Sequence, residues 1–513
     1  MTQANRIVLN TLASYGRSLL ALGLGLFSTR WVLTALGKED LGLFGLMGSC
    51  IVFVTLINGI LGGTIARFYA YAIGERKKMN DQAGKESMTR WFNAAFSIHA
   101  FTPIGLMVIV YPIGVYTLQH WLVVPIERMD ACIWVFRMVL LSACINMFSV
   151  PYIAMYRAKQ LIVELSIWEM VRTILMFVFA YMLLGFNGDR LMAYGAFMTV
   201  TPSVISIIQM LRARCAFEGC VVRPKYLFSK SHLKPMFAYA FGDLFGSLGA
   251  VVRDNGTAFL INVNFGPAMN ASFGIANQVS NHTTALSSAM IGALVPAVTT
   301  AEGSGDHAHA LRLAFRSIKF GVALILVFCI PLILEMDEVL KLWLVNPPEG
   351  TAILCRCMLF AFICHKLGWG HQLVILAKGR VVGAQLILGT TSALGLLLSW
   401  VLIKNGYGML AIGISYIVIY SLMTLERAIC AKKLCAMPLR YWMFRIILPL
   451  TAVGGVSYLV GTIEISLVAP SFTRIIFTSI VTNLVIGIGL MFFVFDQDER
   501  NYFKNLMRKM KGT

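Results

Sequence analysis

Charge is scarce in this chain. Only 13% of its 513 residues are Asp, Glu, Lys or Arg, against roughly 25% in a typical soluble protein. Acidic residues are the scarcer kind, 24 against 43 basic. No polar stretch is long enough to hold an aqueous catalytic domain, which a polytopic glycosyltransferase or polysaccharide polymerase would need to present its acids and bases. The pattern G-x-x-x-x-G-K-[ST] is missing, which excludes ATP hydrolysis by that machinery. The eleven cysteines fall in apolar runs or in loops expected to face the cytoplasm, so no disulfide is expected. Cys355-x-Cys357, Cys364-His365 and His307-x-His309 lack a second pair at zinc spacing. They read as small buried side chains and ordinary polar positions. No metal, cofactor or enzymatic chemistry is implied, and movement is the function class that remains.

The chain has apolar runs in abundance, with 58% of its residues hydrophobic. About fourteen runs are long enough to cross a bilayer, near 8–29, 41–66, 91–117, 131–155, 162–184, 191–211, 236–264, 268–297, 318–335, 351–376, 382–403, 409–429, 446–468 and 475–496. The first has no small-x-small cleavage site after it and reads as a retained helix. The net charge of +19 is unevenly placed. Basic residues gather at 76–90, 212–234, 427–445 and 500–511, whereas Arg128, Arg190, Lys341, Lys404 and Arg474 stand mostly alone. This alternation follows the positive-inside rule and puts both termini in the cytoplasm. Membrane topology and an anionic inner leaflet account for the charge; nucleic acid is not needed as a partner.

The chain also echoes itself. Leu36-Gly37…Phe44-Gly45 returns as Phe265-Gly266…Phe273-Gly274, and Arg137…Ala158-Lys159 returns as Arg356…Ala377-Lys378. The expected architecture is all-α and polytopic: two pseudo-symmetric six-helix lobes at 1–225 and 226–435, then two further helices and a basic tail at 436–513. Six spans return a chain to its starting side, so the lobes run in the same direction and their axis lies along the membrane normal. Pro103, Pro112, Pro151, Pro202, Pro296 and Pro331 are candidate bending points, tolerated where neighbouring groups satisfy the freed backbone.

Charges inside spans are the strongest pointer to function, because each costs on the order of 3 kcal/mol at mid-bilayer. Arg17, Arg67, Arg137, Arg172, Arg253, Arg356 and Lys366 stand against Glu164, Glu169, Asp243 and Asp254. The cationic excess favours an anionic ligand, and the planar fork of arginine suits a phosphate or diphosphate. By the repeat, Arg253 corresponds to Leu24, seven residues past Arg17. Two helical turns separate those positions, so both arginines point to one pseudo-symmetric surface. Arg253 also has a structural reading, an ion pair with Asp243. Lys366, beside His365 and ahead of His371, divides evenly between ligand contact and an interhelical bridge. Arg172 lies within reach of Glu169 on one helix face. Arg137 and Arg356 have the alternative of snorkelling to the outer interface, and Arg67 reads as an inner-face anchor. Asn270, Asn277, Gln278 and Asn281 form a polar stripe, for helix packing or for sugar hydroxyls.

The two-lobe plan, the turn Leu36-Gly37-Lys38-Glu39-Asp40-Leu41-Gly42-Leu43-Phe44 and the following Ile65-Ala66-Arg67-Phe68 resemble the polysaccharide-exporter branch of the multidrug/oligosaccharidyl-lipid/polysaccharide flippase superfamily. O-antigen flippases and the peptidoglycan lipid flippase are members. The resemblance spans the chain in topology, through degenerate local motifs. It implies a central cationic cavity opening alternately to each side of a bacterial inner membrane. The implied cargo is a polyprenyl-diphosphate-linked oligosaccharide for cell-surface polysaccharide, with membrane lipids and glycan assembly enzymes as partners. Arg17, Arg253, Lys366, Arg172, Arg137 and Arg356 are then the candidate substrate contacts, and Asn277, Gln278 and Asn281 candidate sugar contacts. Two alternatives stay open. An ion-coupled multidrug exporter of the sister branch would use Asp243 and Asp254 for coupling, although span 1 holds no acid. A non-transporting scaffold of a glycan assembly complex would tolerate loss of every mid-span arginine.

Overall fold

The computed structural model describes residues 3–50, 52–76, 81–159, 161–303, 305–378 and 382–501. The regular structure among them is helical throughout, the arrangement that lets each apolar segment satisfy its own backbone away from water. Ten of the helices are long and apolar enough to cross a membrane, or eleven when one bent pair counts as a single span. The expectation of fourteen adds the three long helices at Val52–Arg76, Lys230–Phe265 and Pro267–Gly303, which stand outside that ten.

Contacts divide the chain into two compact units, Met1–Ala271 and Ser272–Thr513. Packing and repetition are separate criteria, so the lobe boundaries at 225 and 435 remain a proposal. The first unit contains α1 (Gln3–Cys50), α2 (Val52–Arg76), α3 (Asp81–His120), α4 (Met129–Ala158), α5 (Ile162–Met182), α6 (Arg190–Ala216) and α7 (Lys230–Phe265). Within it α4 is central, packed on α2, α3 and α6, while α1 packs on α5 and α7 packs on α2 and α1. One apolar cluster joins Leu43, Met47, Val135, Phe136 and Leu191. A second joins Ile65, Tyr69, Phe92, Tyr156 and Met236.

α8 (Pro267–Gly303) begins at the boundary between the units, and the second continues with α9 (His307–Leu334), α10 (Met336–Leu344), α11 (Thr351–Lys366), α12 (Trp369–Ala377), α13 (Val382–Lys404), α14 (Leu410–Cys435), α15 (Leu439–Trp442), α16 (Leu448–Leu467) and α17 (Phe472–Gly489). Here α9 carries α11, α12, α16 and α17, and α14 carries α11, α12 and α13. Ile318, Val322, Val374, Trp442, Ile446 and Ile486 meet in the core. Local signals set several helix starts. Asp189, Asp306 and Ser471 each accept a hydrogen bond at 3.0 Å from a backbone N–H three residues on, at the heads of α6, α9 and α17, as N-caps do.

The sequence echo has a backbone counterpart. Gly37 kinks α1 with φ 77° and ψ 178°, and Gly266 ends α7 with φ 82° and ψ 178°. That conformation is open essentially to glycine alone, which is why both copies of the motif keep it. The second echo ends helices alike. Lys159 N–H bonds Met155 C=O at 2.9 Å, and Lys378 N–H bonds Val374 C=O at 3.0 Å. Side chains then fasten the Gly37 kink. Arg128 bridges Asp40 and Asp189, the latter at 2.9 Å, and Arg190 reaches Ala35 C=O at 3.1 Å.

Between the echoes the copies diverge. α4 runs through Pro151 without a break, whereas its counterpart is divided at Lys366–Trp369 with a 43° bend and no proline. Helices α3, α6 and α9 likewise continue through Pro103, Pro112, Pro202 and Pro331. Neither the kink at Gly37 nor the break between α11 and α12 falls where a candidate proline lies.

Replacing Gly37 or Gly266 by Ala should cost about 1–3 kcal/mol through backbone strain, seen as a lower unfolding midpoint of the purified protein. Gly63, helical and with nothing within 4 Å of an added Cβ, should accept Ala with no loss, since Ala is the better helix former.

Candidate functional site

The first unit holds the arginines that the repeat singles out. Arg253 lies on α7, 4% exposed, thirteen residues before Gly266. Its Nε donates to Oδ1 of Asp254 at 2.8 Å. The acid at its side is thus the adjacent Asp254, itself 44% exposed. The Asp243 side chain lies outside the described residues, as does that of Arg67. Arg17 is half-buried on α1 and makes no ion pair among the described residues. α1 and α7 pack together, so Arg17 and Arg253 stand on neighbouring helices.

Other intramembrane cations prove to be anchored. Arg172 pairs with Glu169 at 2.6 Å, as the i,i+3 spacing predicts, and Arg212 reaches Glu164 at 3.4 Å. The repeated arginines differ in their partners. Exposed Arg137 donates to the Tyr111 hydroxyl at 2.9 Å and lies 5.7 Å from that ring centre. Arg356 donates to Ile333 C=O at 2.9 Å and to Asp337 at 2.5 Å. Lys366 is buried at the last turn of α11, with Nζ 4.7 Å from the ring centre of Trp369.

The polar stripe of α8 divides by side-chain size. Asn281 is exposed, Asn277 and Gln278 are half-buried, and Asn270 is buried. The small hydroxyls Ser280, Thr284 and Ser287 lie on the buried side. Ser287 donates to Gly321 C=O of α9 at 3.0 Å, and Thr284 donates back to Ser280 C=O at 2.8 Å. That inner side works as interhelical packing.

Two charged clusters and one buried arginine of the second unit escape a reading of the sequence. Arg474, expected as a lone loop cation, is bidentate to Glu335 with both bonds at 2.8 Å, and both side chains are buried. The Thr478 hydroxyl lies 3.0 Å from Glu335 and 2.6 Å from Glu464. Lys319, 1% exposed on α9, holds Asp496 at 2.7 Å and Glu499 at 3.1 Å. Arg427, expected in a basic loop, is 6% exposed on α14. A signal for Arg427 was available: Met423, Arg427, Ala428, Ala431 and Cys435 recur at helical spacing on one buried face.

An apolar groove of about 850 Å³ runs between α9 and α17. Phe320, Leu324, Val327, Leu484, Ile488 and Met491 line it, with Arg500 at one end.

The sequence matches no protein-family model and no curated protein. The fold does match solved structures. One described as the lipid II flippase MurJ in an inward closed conformation superposes with a TM-score of 0.67 at 11% identity, covering 98% of this chain and 100% of that one. An inward-facing multidrug resistance MATE family transporter of the MOP superfamily superposes at 0.65 with 16% identity, over 83% of this chain and 98% of that one. The MATE multidrug transporter DinF-BH in complex with R6G gives 0.56 at 13% identity, over 84% and 96%. At these identities the likeness is one of fold.

Breaking the buried Arg474–Glu335 pair from one side should be severe. Glu335→Leu alone should cost about 3–5 kcal/mol by stranding the guanidinium, while Glu335→Leu with Arg474→Met should recover most of the loss. Thermal unfolding of the single and double variants checks this.

Proposed function

We propose that this chain is a transporter that flips an anionic glycolipid, a polyprenyl-diphosphate-linked oligosaccharide, from the inner to the outer leaflet by alternating access. The observation that carries the reading is the sign of the charge inside the spans. Arg17, Arg253 and Lys366 lie on apolar helices, two of them buried, against Asp254 at the side of Arg253. A cation held among apolar helices is costly, the excess here is positive, and a diphosphate is an anion that the arginine fork matches.

Two further features support the reading. The fold extends over the whole length of a lipid flippase structure, whereas the exporter structures cover 83% and 84% of this chain. The groove between α9 and α17 is apolar enough for a prenyl chain to rest in while the headgroup moves. In this reading Arg17 and Arg253, staggered by two turns or about 10 Å along their helices, bind the diphosphate in succession. Arg172, Arg137 and Arg356 are proposed as further contacts for the anionic headgroup, and Asn277, Gln278 and Asn281 as amides for sugar hydroxyls. A bacterial inner membrane with both termini in the cytoplasm follows as part of the proposal, as do the two six-helix lobes at 1–225 and 226–435.

The test is the pool of polyprenyl-diphosphate glycans in cells depleted of the protein, read by mass spectrometry of the lipid extract. One glycolipid should accumulate and be cleared by wild type. Arg253→Ala should clear it about tenfold less well or worse, the worth of one charge-assisted hydrogen bond, with Arg17→Ala behaving likewise. An unchanged pool together with sensitivity to cationic dyes would overturn the reading in favour of an exporter working through Asp243 and Asp254. Full rescue by both alanine variants would favour a scaffold.

A further inference from the structure

The break between α11 and α12 leaves backbone carbonyls without helical partners, and neutral side chains serve them. The Thr424 hydroxyl of α14 donates to Cys364 C=O at 2.8 Å and lies 3.4 Å from His365 C=O. The Trp442 indole of α15 donates to Leu367 C=O at 3.1 Å. Gly370 lets α12 press on α9, since an added Cβ would stand 2.3 Å from Ala314 C=O. The break is therefore built and held without charge.

Two cations are nevertheless placed at it. Lys366 and Arg427 stand 4.7 Å and 5.2 Å from the centre of the same Trp369 ring, and the two are 4% and 6% exposed. By the 219-residue offset of the repeat, Lys366 stands where the first copy has Met147, which is fully buried. An apolar side chain thus suffices for packing at the equivalent position. Arg427 contributes little to the break itself. Its Nη1 reaches His365 C=O only at 3.5 Å, and its buried Nε has no hydrogen-bond partner. It makes no ion pair among the described residues. The adjacent Glu426 turns its carboxylate to the Thr391 hydroxyl of α13. His371 of α12, fully buried edge-on to Trp442 at 4.7 Å, lies within electrostatic reach of Arg427.

We infer that this break is an oxyanion-binding site within the second unit, distinct from Arg17 and Arg253 of the first, and that it takes a phosphate group. A guanidinium with an idle donor supplies the fork that a phosphate matches, and an ammonium beside the same indole supplies a point charge. The site stands on residues of the second unit alone and does not depend on the cargo proposed above. Its phosphate could come from a membrane lipid headgroup or from a soluble or cargo diphosphate, and the chemistry of recognition is shared.

The experiment uses the purified full-length chain in an uncharged detergent at constant ionic strength, with inorganic pyrophosphate as the probe. Pyrophosphate should raise the unfolding midpoint of wild type in a saturable way. Arg427→Gln and Lys366→Met should each weaken its apparent affinity at least about tenfold, the worth of one charge-assisted contact. A saturable response should survive in the Arg17→Ala/Arg253→Ala double variant, where only the second-unit site is left to bind the probe. Competition by phosphatidylglycerol but not by phosphatidylcholine would assign the site to a lipid headgroup; no competition by either would assign it to a soluble or cargo phosphate. Without any anion, Arg427→Gln should unfold no earlier than wild type, because it removes a buried charge that makes no ion pair among the described residues. The inference is overturned if pyrophosphate stabilises nothing, if both second-unit variants respond like wild type, or if the response vanishes with Arg17 or Arg253. It is equally overturned if Arg427→Gln is destabilised in the absence of anions, since that marks a purely structural arginine.

Discussion

Most of this structure follows from one constraint: a charge or backbone polar group placed among apolar helices must find a partner inside the protein. Among the described residues, ion pairs and hydrogen bonds answer most of the cations that the chain brings into a span. Arg474 takes Glu335, Lys319 takes Asp496 and Glu499, Arg356 takes Asp337 and a carbonyl, and Arg172 takes its own i−3 glutamate. Each of these arrangements ties one segment to another or stiffens a helix face. The cations that depart from the pattern stand out because the rule is otherwise kept so widely.

Among the described residues those departures are Arg17, which makes no ion pair, and Arg427, whose buried Nε has no hydrogen-bond partner; buried Arg253 and Lys366 have partners. They are divided between the two units, Arg17 and Arg253 in the first and Lys366 and Arg427 in the second. In the second unit these cations sit at an element that interrupts regular helix. Lys366 is the last residue of α11, and Arg427 of α14 reaches His365 C=O beside it. Interruptions free backbone groups and bring neighbouring side chains close, so they are where a span can hold a polar ligand. Prolines turned out to be poor guides to such places. α4 continues through Pro151, while the break in its counterpart is held open by Thr424, Trp442 and the absence of a Cβ at Gly370.

The repeat shows the same contrast between what is kept and what is free to change. The positive-φ glycines at 37 and 266 and the helix ends at Lys159 and Lys378 agree in both copies. These are backbone requirements that only particular residues, or particular spacings, can meet. Side-chain partners were not kept. Arg137 rests on a tyrosine, whereas Arg356 binds an aspartate and a carbonyl. A shared position therefore does not imply a shared role, and the fold tolerates a different electrostatic solution in each copy.

The all-helical class, the positions of most spans, the internal echo and the surplus of intramembrane cations could all be read from residue order. They depend on composition, period and spacing along one chain, and each helix satisfies its own backbone. The i,i+3 pair of Arg172 was legible for the same reason. Which charges are neutralised was not. Glu335 lies 139 residues from Arg474, and Asp496 lies 177 from Lys319, and no local pattern joins residues so far apart. Arg427 was hidden because it falls where the apolar run 409–429 meets the basic run 427–445, and only the packing of α14 shows that it is buried. The sequence by itself determined that this chain is a bundle of apolar helices carrying excess positive charge. The tertiary structure decided which of those charges meet a distant acid, because pairing depends on distances in space that spacing along the chain does not encode.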